Sequence, residues 1–428
     1  MNKPDRLGQH SFLMMAATLA GHFGNYAYHF ISGRWLTDGE YGMLVALLAV
    51  VNMTSLPLGA LGLSITRAFA VLNQSGRHAQ LHHLLCRWFR RLGLVAAALM
   101  LLSIVFAGSV GDWLGMPRRA PVLLAMLIIA MNLFLLLTGA ALQGLQRFGW
   151  LAARSGLLFM PRAVFLVFCL LLGAKTAGWA LLAHGLGMCM ALGISLWALR
   201  RLHGPRDSAP SPYPPLMGST LKAMPALLGF AVLMSADVVL AKRFFPADAA
   251  GHFARAAVLG RMILWLPLPV AAAMFPKVVG QAPHLLKKAC AFTLALILVA
   301  LAGCWLGADL LLWLLYGIQN PAPQHVAMVR HMGLAMAPLG LVHVVLHYEL
   351  AQNRVRHLWP LILIAAGYLI GVRLYHPSLM SLIHILQIAT SLALVQSLFT
   401  FLRETSSTTS LGCAPESLPG SDAPNGPD

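Results

Sequence analysis

The sequence predicts an all-α, polytopic membrane protein of about twelve transmembrane helices arranged as two six-helix bundles, and three observations predict it. Of the 428 residues, 59% are hydrophobic and only 10% charged, which leaves too little polar surface to cover the chain in water. Apolar runs near the roughly 20 residues that cross a bilayer as helix recur along its length. Finally, a motif occurs twice. Residues 34–42 read Arg-Trp-Leu-Thr-Asp-Gly-Glu-Tyr-Gly, and residues 243–251 read Arg-Phe-Phe-Pro-Ala-Asp-Ala-Ala-Gly. Each is Arg, aromatic, apolar, a short polar hinge and Gly, set between two apolar runs. Downstream, Leu56-Pro57-Leu58 is answered by Leu266-Pro267-Leu268, and Thr66-Arg67 by Pro276-Lys277. Duplication of a helix bundle is the simplest cause, and in membranes it points to a path between the halves.

Backbone facing lipid must satisfy its own hydrogen bonds, so the spans are helices or closed barrel strands. The runs are too long and continuous for barrel strands, which alternate. The first run, 11–32, follows Lys3 and Arg6 and leads through Gly33-Arg34 into a second, so it reads as a retained helix rather than a cleaved signal. Spans at 42–64, 92–112, 121–142, 156–174 and 177–199 complete an N-terminal bundle, 1–199. Residues 200–222, with Gly204-Pro205 and Pro210-Ser211-Pro212, read as a cytoplasmic linker. A C-terminal bundle, 223–402, holds spans at 223–244, 251–276, 289–316, 326–348, 358–375 and 378–402. The two longest, 251–276 and 289–316, are expected to tilt or to extend beyond the lipid. Residues 403–428, rich in Ser, Pro, Gly, Thr and acids, read as a disordered tail. Six spans per copy set both copies the same way up, as a parallel repeat.

The net charge of +17 is explained by topology rather than by nucleic acid. Most of the 30 Lys and Arg residues fall in segments on the side of the N-terminus. Opposite segments hold only Arg34, Arg118, Arg119, Lys175, Lys242, Arg243 and Arg373, which places both termini in the cytoplasm. Within 65–91, Leu81, Leu84, Leu85 and Trp88 share a helical face beside Arg87, Arg90 and Arg91, which reads as an amphipathic helix on the anionic inner leaflet.

Several function classes are excluded or disfavoured. The six cysteines include no Cys-x-x-Cys pair, so neither a disulfide framework nor a metal site is implied. No Gly-x4-Gly-Lys-Ser/Thr sequence supports an ATP site, and no cofactor is implied. The outer loops are too short for a catalytic domain, so the chain reads as a transporter and not an enzyme. His343 and His347, with Glu349 nearby, read as packing and interfacial residues.

Charge inside a span costs about 2.5–3.5 kcal/mol on insertion scales, so such residues face protein or water and are the best site candidates. Asp237 in the seventh span and Arg255 in the eighth sit near the outer end of a hairpin and are expected to pair, and Asp237 is also a candidate for ion coupling. Arg261 lies deeper, roughly 15 Å from that end. Arg162 follows Pro161, whose missing N–H would free a carbonyl for it. Arginines outnumbering acids make a cationic interior suited to phosphate, which guanidinium binds in bidentate fashion. Arg34 and Arg243 stand at symmetric outer mouths, where they would catch headgroups or anchor in the interface. Pro57 and Pro267 are expected to bend the second and eighth helices. His22, Asn25, Asn52 and Asn132 are further polar candidates, suited to hydrogen bonds between helices.

Stretches 237–245 (Asp-Val-Val-Leu-Ala-Lys-Arg-Phe-Phe), 250–255 (Ala-Gly-His-Phe-Ala-Arg), Leu259-Gly260-Arg261 and Phe275-Pro276-Lys277 resemble the polysaccharide transporter branch of the multidrug/oligosaccharidyl-lipid/polysaccharide (MOP) exporter superfamily. So do residues 33–42 and Gln143-Gly-Leu-Gln-Arg-Phe148. The resemblance covers roughly residues 1–400, and beyond 318 it rests on hydropathy and Glu349-Leu-Ala-Gln-Asn-Arg354. It implies two bundles forming a V-shaped cavity that opens alternately to each side of the bacterial inner membrane. The implied cargo is a polyprenyl-diphosphate-linked oligosaccharide for O-antigen, capsule or exopolysaccharide; the intramembrane charges themselves make Arg261 and Arg162, joined by Arg255, the residues expected to hold its diphosphate. Implied partners are this lipid-linked oligosaccharide, membrane lipid, a glycan polymerase and glycosyltransferases. A cation-coupled multidrug exporter of the same superfamily is the alternative, and it would want acids in the cavity. A glycan polymerase or ligase would need larger outer loops, and a non-transporting scaffold of a glycan synthase complex would not need intramembrane arginines.

Overall fold

The computed structural model describes residues 6–116, 118–200, 202, 218–265, 283–351 and 358–411. They form thirteen α-helices and, among the described residues, no strand. The first half holds α1 (Arg6–Trp35), α2 (Asp38–Gln74), α3 (His78–Trp113), α4 (Ala120–Gly144), α5 (Phe148–Leu171) and α6 (Ala177–Leu199). The second holds α7 (Gly218–Phe244), α8 (Ala247–Trp265), α9 (Pro283–Leu306), α10 (Ala308–Tyr316), α11 (Pro323–Ala351), α12 (Pro360–Leu374) and α13 (Leu379–Leu411). Eight described helices are long and apolar enough to cross a membrane, and α9 with α10 makes a ninth if the bent pair counts as one span.

Helix packing repeats between the halves. In the first, α1 packs on α5, α2 and α3 on α4, and α6 on α4 and α5. In the second, α7 packs on α12, α8 and α9 on α11, and α13 on α11 and α12. The mapping takes α1–α3 onto α7–α9 and α4–α6 onto α11–α13, leaving α10 without a counterpart. Glycines permit equivalent close approaches. A Cβ on Gly24 of α1 would stand 3.0 Å from the Phe159 backbone of α5, and one on Gly229 of α7 would stand 2.6 Å from the Leu361 backbone of α12. Lipid tails are as apolar as leucine, so such packing and hydrogen bonding, rather than burial from water, hold these helices together.

Across the halves, α2 packs on both α7 and α8, and the buried core runs continuously from Tyr28, Tyr41 and Leu47 to Phe230, Leu233 and Phe253. Leu94, Leu101, Val164, Phe168, Leu363 and Ile370 point outward, as a lipid-facing belt requires.

Three expectations change. Residues 65–91 are not a separate surface helix: α2 runs to Gln74 and α3 begins at His78. Leu81, Leu84, Leu85 and Trp88 are buried against Phe69, Leu72 and Leu137. An apolar stripe looks the same in sequence whether it meets lipid or another helix. The run 289–316 is not one long span but is broken, turning by 82° between α9 and α10. Gly307 stands at the break, Asp309 sits in the first turn of α10, and Gly317 closes it in the left-handed region (φ 71°). α2 continues unbroken through Pro57, while Pro267 lies outside the described residues. The last helix reaches Leu411, past the expected end at 402, and 412–428 lie outside the description.

Candidate functional site

The two copies of the duplicated motif meet. Thr37 caps α2 and is followed by Asp38 and Glu40 in the first turn, where acids complement the helix dipole. The start of α8 lies directly against this turn. A Cβ on Gly251 would fall 2.1 Å from the Asp38 carbonyl oxygen, and one on Gly42 would fall 3.0 Å from the Gly251 nitrogen. The equivalent glycines of the two copies are therefore what lets α2 and α8 touch. We call this end of the molecule the motif face.

Arg255 fastens that contact. Its Nη1 donates to Asp38 Oδ1 at 2.6 Å, while Nε and Nη2 donate to the Gly33 carbonyl at 3.2 and 2.9 Å. Its guanidinium lies 5.4 Å from the Tyr41 ring centre and 5.7 Å from that of Tyr316. The expected pair with Asp237 does not form, because Arg255 turns to the first half instead. Tyr316, at the end of α10, approaches Tyr41 with hydroxyls 3.3 Å apart and covers Gly33. The unpredicted helix α10 thus reaches from the second half to α1. His252 adds a contact to Asp38 at 3.2 Å and stacks on His325 at 3.9 Å.

Arg34 and Arg243 also cross between the halves. Arg34 lies over Gly317, with Nε 3.0 Å from where a Cβ would be. Arg243 sits 5.7 Å from the Trp113 ring centre at the end of α3. Each motif arginine is exposed and reaches across to the other half, Arg34 to the cap of α10 and Arg243 to the end of α3. Neither lines the cavity described next.

Beneath the motif face is a cavity of about 190 Å³ between the halves. From the first half, α1 contributes His22, Asn25, Tyr26 and His29, α2 contributes Val45, Leu48, Ala49 and Asn52, and α5 contributes Phe159. The second half supplies Ser235 from α7 with Val258 and Arg261 from α8. No carboxylate is among these lining residues, and Asn132 does not reach them.

Arg261 is the candidate arginine that lines this cavity. Its Nε donates to the Met234 carbonyl at 2.8 Å, and its Nη2 is paired with Asp237 Oδ1. Asp237 is fully buried, so the acid expected to meet Arg255 neutralises the deeper arginine. Two turns of α8 carry both arginines, and only the deeper one faces α7. The cavity is thus less cationic on this side than a count of arginines implies.

Arg162 stands behind the opposite wall, 2% exposed. It hydrogen-bonds Asn25 Oδ1 and meets His184 Nδ1 at 2.8 Å. The rings of Tyr28 and Phe159 lie 4.8 Å from its guanidinium carbon. Proline does not supply its partner, as the sequence had implied: side chains of α1 and α6 do. Among the described residues no carboxylate pairs with it. Its charge, permanent for any guanidinium, sits one residue behind Asn25, which lines the cavity, while Arg162 is not among the lining residues.

Sequence reasoning missed Tyr26, His29 and His184. A signal for the first two existed: His22, Asn25, Tyr26 and His29 fall at i, i+3, i+4 and i+7, one polar stripe on an otherwise apolar helix. Among the described residues, no group of His, Cys, Asp and Glu is placed to hold a metal.

No protein-family model and no curated protein sequence matches the chain. Solved structures do. An inward-facing multidrug resistance MATE-family transporter of the MOP superfamily superposes with a TM-score of 0.69 at 13% identity, covering 94% of this chain and 100% of that one. The lipid II flippase MurJ, in an inward closed conformation, gives 0.66 at 12% identity over 92% of this chain and 87% of its own. The MATE multidrug transporter DinF-BH in complex with R6G gives 0.64 at 12% identity, covering 94% and 97%. At these identities the likeness speaks for architecture alone: the chain has the polytopic helical fold of MOP-superfamily transporters.

Proposed function

We propose that this protein flips a lipid carrying a diphosphate-linked oligosaccharide across a bacterial inner membrane, by alternating access through the cavity between its halves. The motif face would look to the periplasm, with both termini in the cytoplasm. One observation carries the reading: among the described residues no carboxylate lines the cavity, and Arg162, behind its Asn25 wall, is held by the neutral side chains of Asn25 and His184. An anionic headgroup completes that site, whereas a cation would be repelled by it. Arg261, already paired, holds its guanidinium beside the same space and supplies a second donor to phosphate oxygens. The polyprenyl tail stays in lipid while the sugar crosses within protein, which avoids desolvating hydroxyls in hydrocarbon.

Arg255, Arg34 and Arg243 serve closure in this proposal rather than substrate. All three bind across the halves at the motif face, and an outward-open state has to release them. Asp237 couples the ion through competition: a proton or Na⁺ arriving there would loosen Arg261 for the diphosphate.

The exporter reading draws on the MATE neighbours. It lacks a lining acid to hold a cationic drug, among the described residues. Reconstituted vesicles decide between the two. Flipping of a fluorescent polyprenyl-diphosphate sugar, lost in Arg162→Met, is the expected result. Ethidium transport without lipid flipping would overturn the proposal in favour of the exporter.

A further inference from the structure

At the end of the molecule away from the motif face, α3 carries Arg87, Arg90 and Arg91 around an open groove of about 630 Å³, whose other lining residues are Gly93 and Leu94. All three arginines are exposed. Leu81, Leu84, Leu85 and Trp88, on the opposite face of the helix, are spent on packing inside the first half. The arginine face is what this stretch leaves for another molecule. No carboxylate lines the groove, and among the described residues neither Arg90 nor Arg91 is in an ion pair. Arg90 and Arg91 stand at i+3 and i+4 from Arg87, spacings at which like charges repel on a helix. A bound anion relieves that repulsion.

The chemistry of that anion follows from what continues the face. Leu94, Leu101 and Val105 prolong it along α3, each at least 65% exposed in the lipid-facing belt. From Arg91 to Trp113 the helix rises about 33 Å, against the ~30 Å of a hydrocarbon core. Trp113 meets Arg243 at the motif face, so the arginines stand at the boundary of the opposite leaflet. Guanidinium binds phosphate oxygens in pairs, and here it does so at the head of an apolar track. A phosphate that carries acyl chains uses both; a soluble polyanion leaves the track empty. The groove is also shaped for more than a bare charge. Arg91 is held 5.7 Å from the centre of the buried Trp88 ring. A Cβ on Gly93 would meet nothing within 4 Å, which leaves open space beside the arginines for the glycerol of a headgroup.

We infer that this groove binds an anionic phospholipid with a phosphate–glycerol headgroup, as a constituent of the membrane and not as cargo. Arg87, Arg90 and Arg91 hold the phosphate, the glycerol lies over Gly93, and an acyl chain follows Leu94, Leu101 and Val105. The site is separate from the cavity between the halves, with which it shares no lining residue. Because the folded chain alone assembles the groove, an occupying lipid stabilises that chain by mass action.

The test uses the full chain, stripped of lipid in detergent, and counts bound lipids by native mass spectrometry during titration with phosphatidylglycerol, cardiolipin or zwitterionic phosphatidylethanolamine. Wild-type protein should take up an anionic lipid saturably and about tenfold or more tighter than phosphatidylethanolamine, and its melting temperature should rise with occupancy. A triple variant, Arg87→Gln with Arg90→Gln and Arg91→Gln, should bind one anionic lipid fewer. Gly93→Leu keeps every charge, fills the groove and improves helix propensity. Its melting temperature without lipid should hold or rise, yet it should lose the same lipid as the triple variant. Equal uptake of anionic and zwitterionic lipid by the wild type would overturn the inference. So would full binding in the triple variant, or full binding in Gly93→Leu, which would reveal diffuse attraction to charge in place of a site. Displacement of the bound phospholipid by an equal concentration of polyprenyl diphosphate would overturn it as well, by giving the groove to cargo, and would leave the flippase proposal standing.

Discussion

Arg162 and Arg261 approach one cavity from opposite halves and differ in what holds them. Arg261 is paired with a carboxylate that is itself fully buried. Arg162 is held by an amide, an imidazole and two aromatic faces. The first arrangement is neutral as a unit, so it contributes geometry but little field. The second keeps a full charge directly behind Asn25, which lines the cavity. Counting arginines in a membrane span therefore overstates how cationic a cavity is, and the identity of each partner decides.

The largest expected effect breaks the neutral unit. Arg261→Ala leaves Asp237 buried and unpaired, and losing one member of a buried pair costs about 3–5 kcal/mol. The variant should show a sharply lowered melting temperature in detergent, and loss of transport in it would say nothing about substrate. Arg261→Met with Asp237→Leu removes both charges and should return most of the stability. If the double variant also recovers transport, Arg261 is structural and the substrate depends on Arg162 alone. If it is stable and inactive, Arg261 touches the lipid.

The two glycines of the duplicated motif sharpen the comparison of halves. Gly251→Ala would drive a methyl to 2.1 Å from the Asp38 carbonyl, whereas the same change at Gly42 meets backbone at 3.0 Å. Overlap with backbone in packed protein costs about 1–3 kcal/mol, so Gly251→Ala should favour states in which the motif face is parted. Labelling of a Leu44→Cys reporter by an impermeant thiol reagent, on a background without native cysteines, should rise strongly in Gly251→Ala and weakly in Gly42→Ala. Equal labelling in both would mean that this face does not part where the glycines meet.

Much of this was legible before any coordinates, for a definite reason. Span positions follow from hydropathy, which is additive along the chain, so expected spans and observed helices coincide closely. The duplicated motif marked a real contact, because each copy carries the Gly needed at a close approach. Partner choice was not legible. Asp237 lies within reach of Arg255 and Arg261 in sequence terms, and only the rotation of α8 against α7 sends one to Asp237 and the other to Asp38. The 82° break at Gly307 was equally hidden, since hydropathy has magnitude without direction. The α1 stripe was readable in principle, and was overlooked because Tyr and His count as ordinary residues in an apolar run.

Arg162→Met tests the charged half of the comparison directly. It leaves Asn25 Oδ1 and His184 Nδ1 without a partner, at about 1–3 kcal/mol each if no water replaces the guanidinium, and it also removes the cost of burying the charge itself. The net loss of stability should therefore be smaller than for Arg261→Ala, while lipid flipping should fall to background. His184→Asp sharpens the same point from the other side. It would place a carboxylate beside Arg162, make the first half resemble the second, and weaken binding of a polyprenyl diphosphate with little change in the arginine's position. Undiminished flipping in His184→Asp would show that the field of Arg162 is not what holds the substrate.

The smallest expected effect concerns the aromatic contact between α10 and α2. Tyr316→Phe removes one hydroxyl from a 3.3 Å pair and nothing from the ring that covers Gly33. A single neutral hydrogen bond contributes about 0.5–1.5 kcal/mol, which corresponds to a roughly two- to twelvefold change in an equilibrium at RT near 0.59 kcal/mol. Opening at the motif face, read by the same Leu44→Cys reporter, should rise by no more than that factor. Tyr316→Ala also deletes the ring packed against Phe30, Tyr41 and the Arg255 guanidinium, and should exceed it clearly. If Phe and Ala behave alike, the hydroxyl pair is the whole of the contribution and α10 is a hydrogen-bonded strut. If Phe behaves as wild type and Ala opens the face, the contact is aromatic packing and cation–π. That outcome would fit a helix with no counterpart in the first half, recruited to cover one side of the closure that the duplicated arginines make on both.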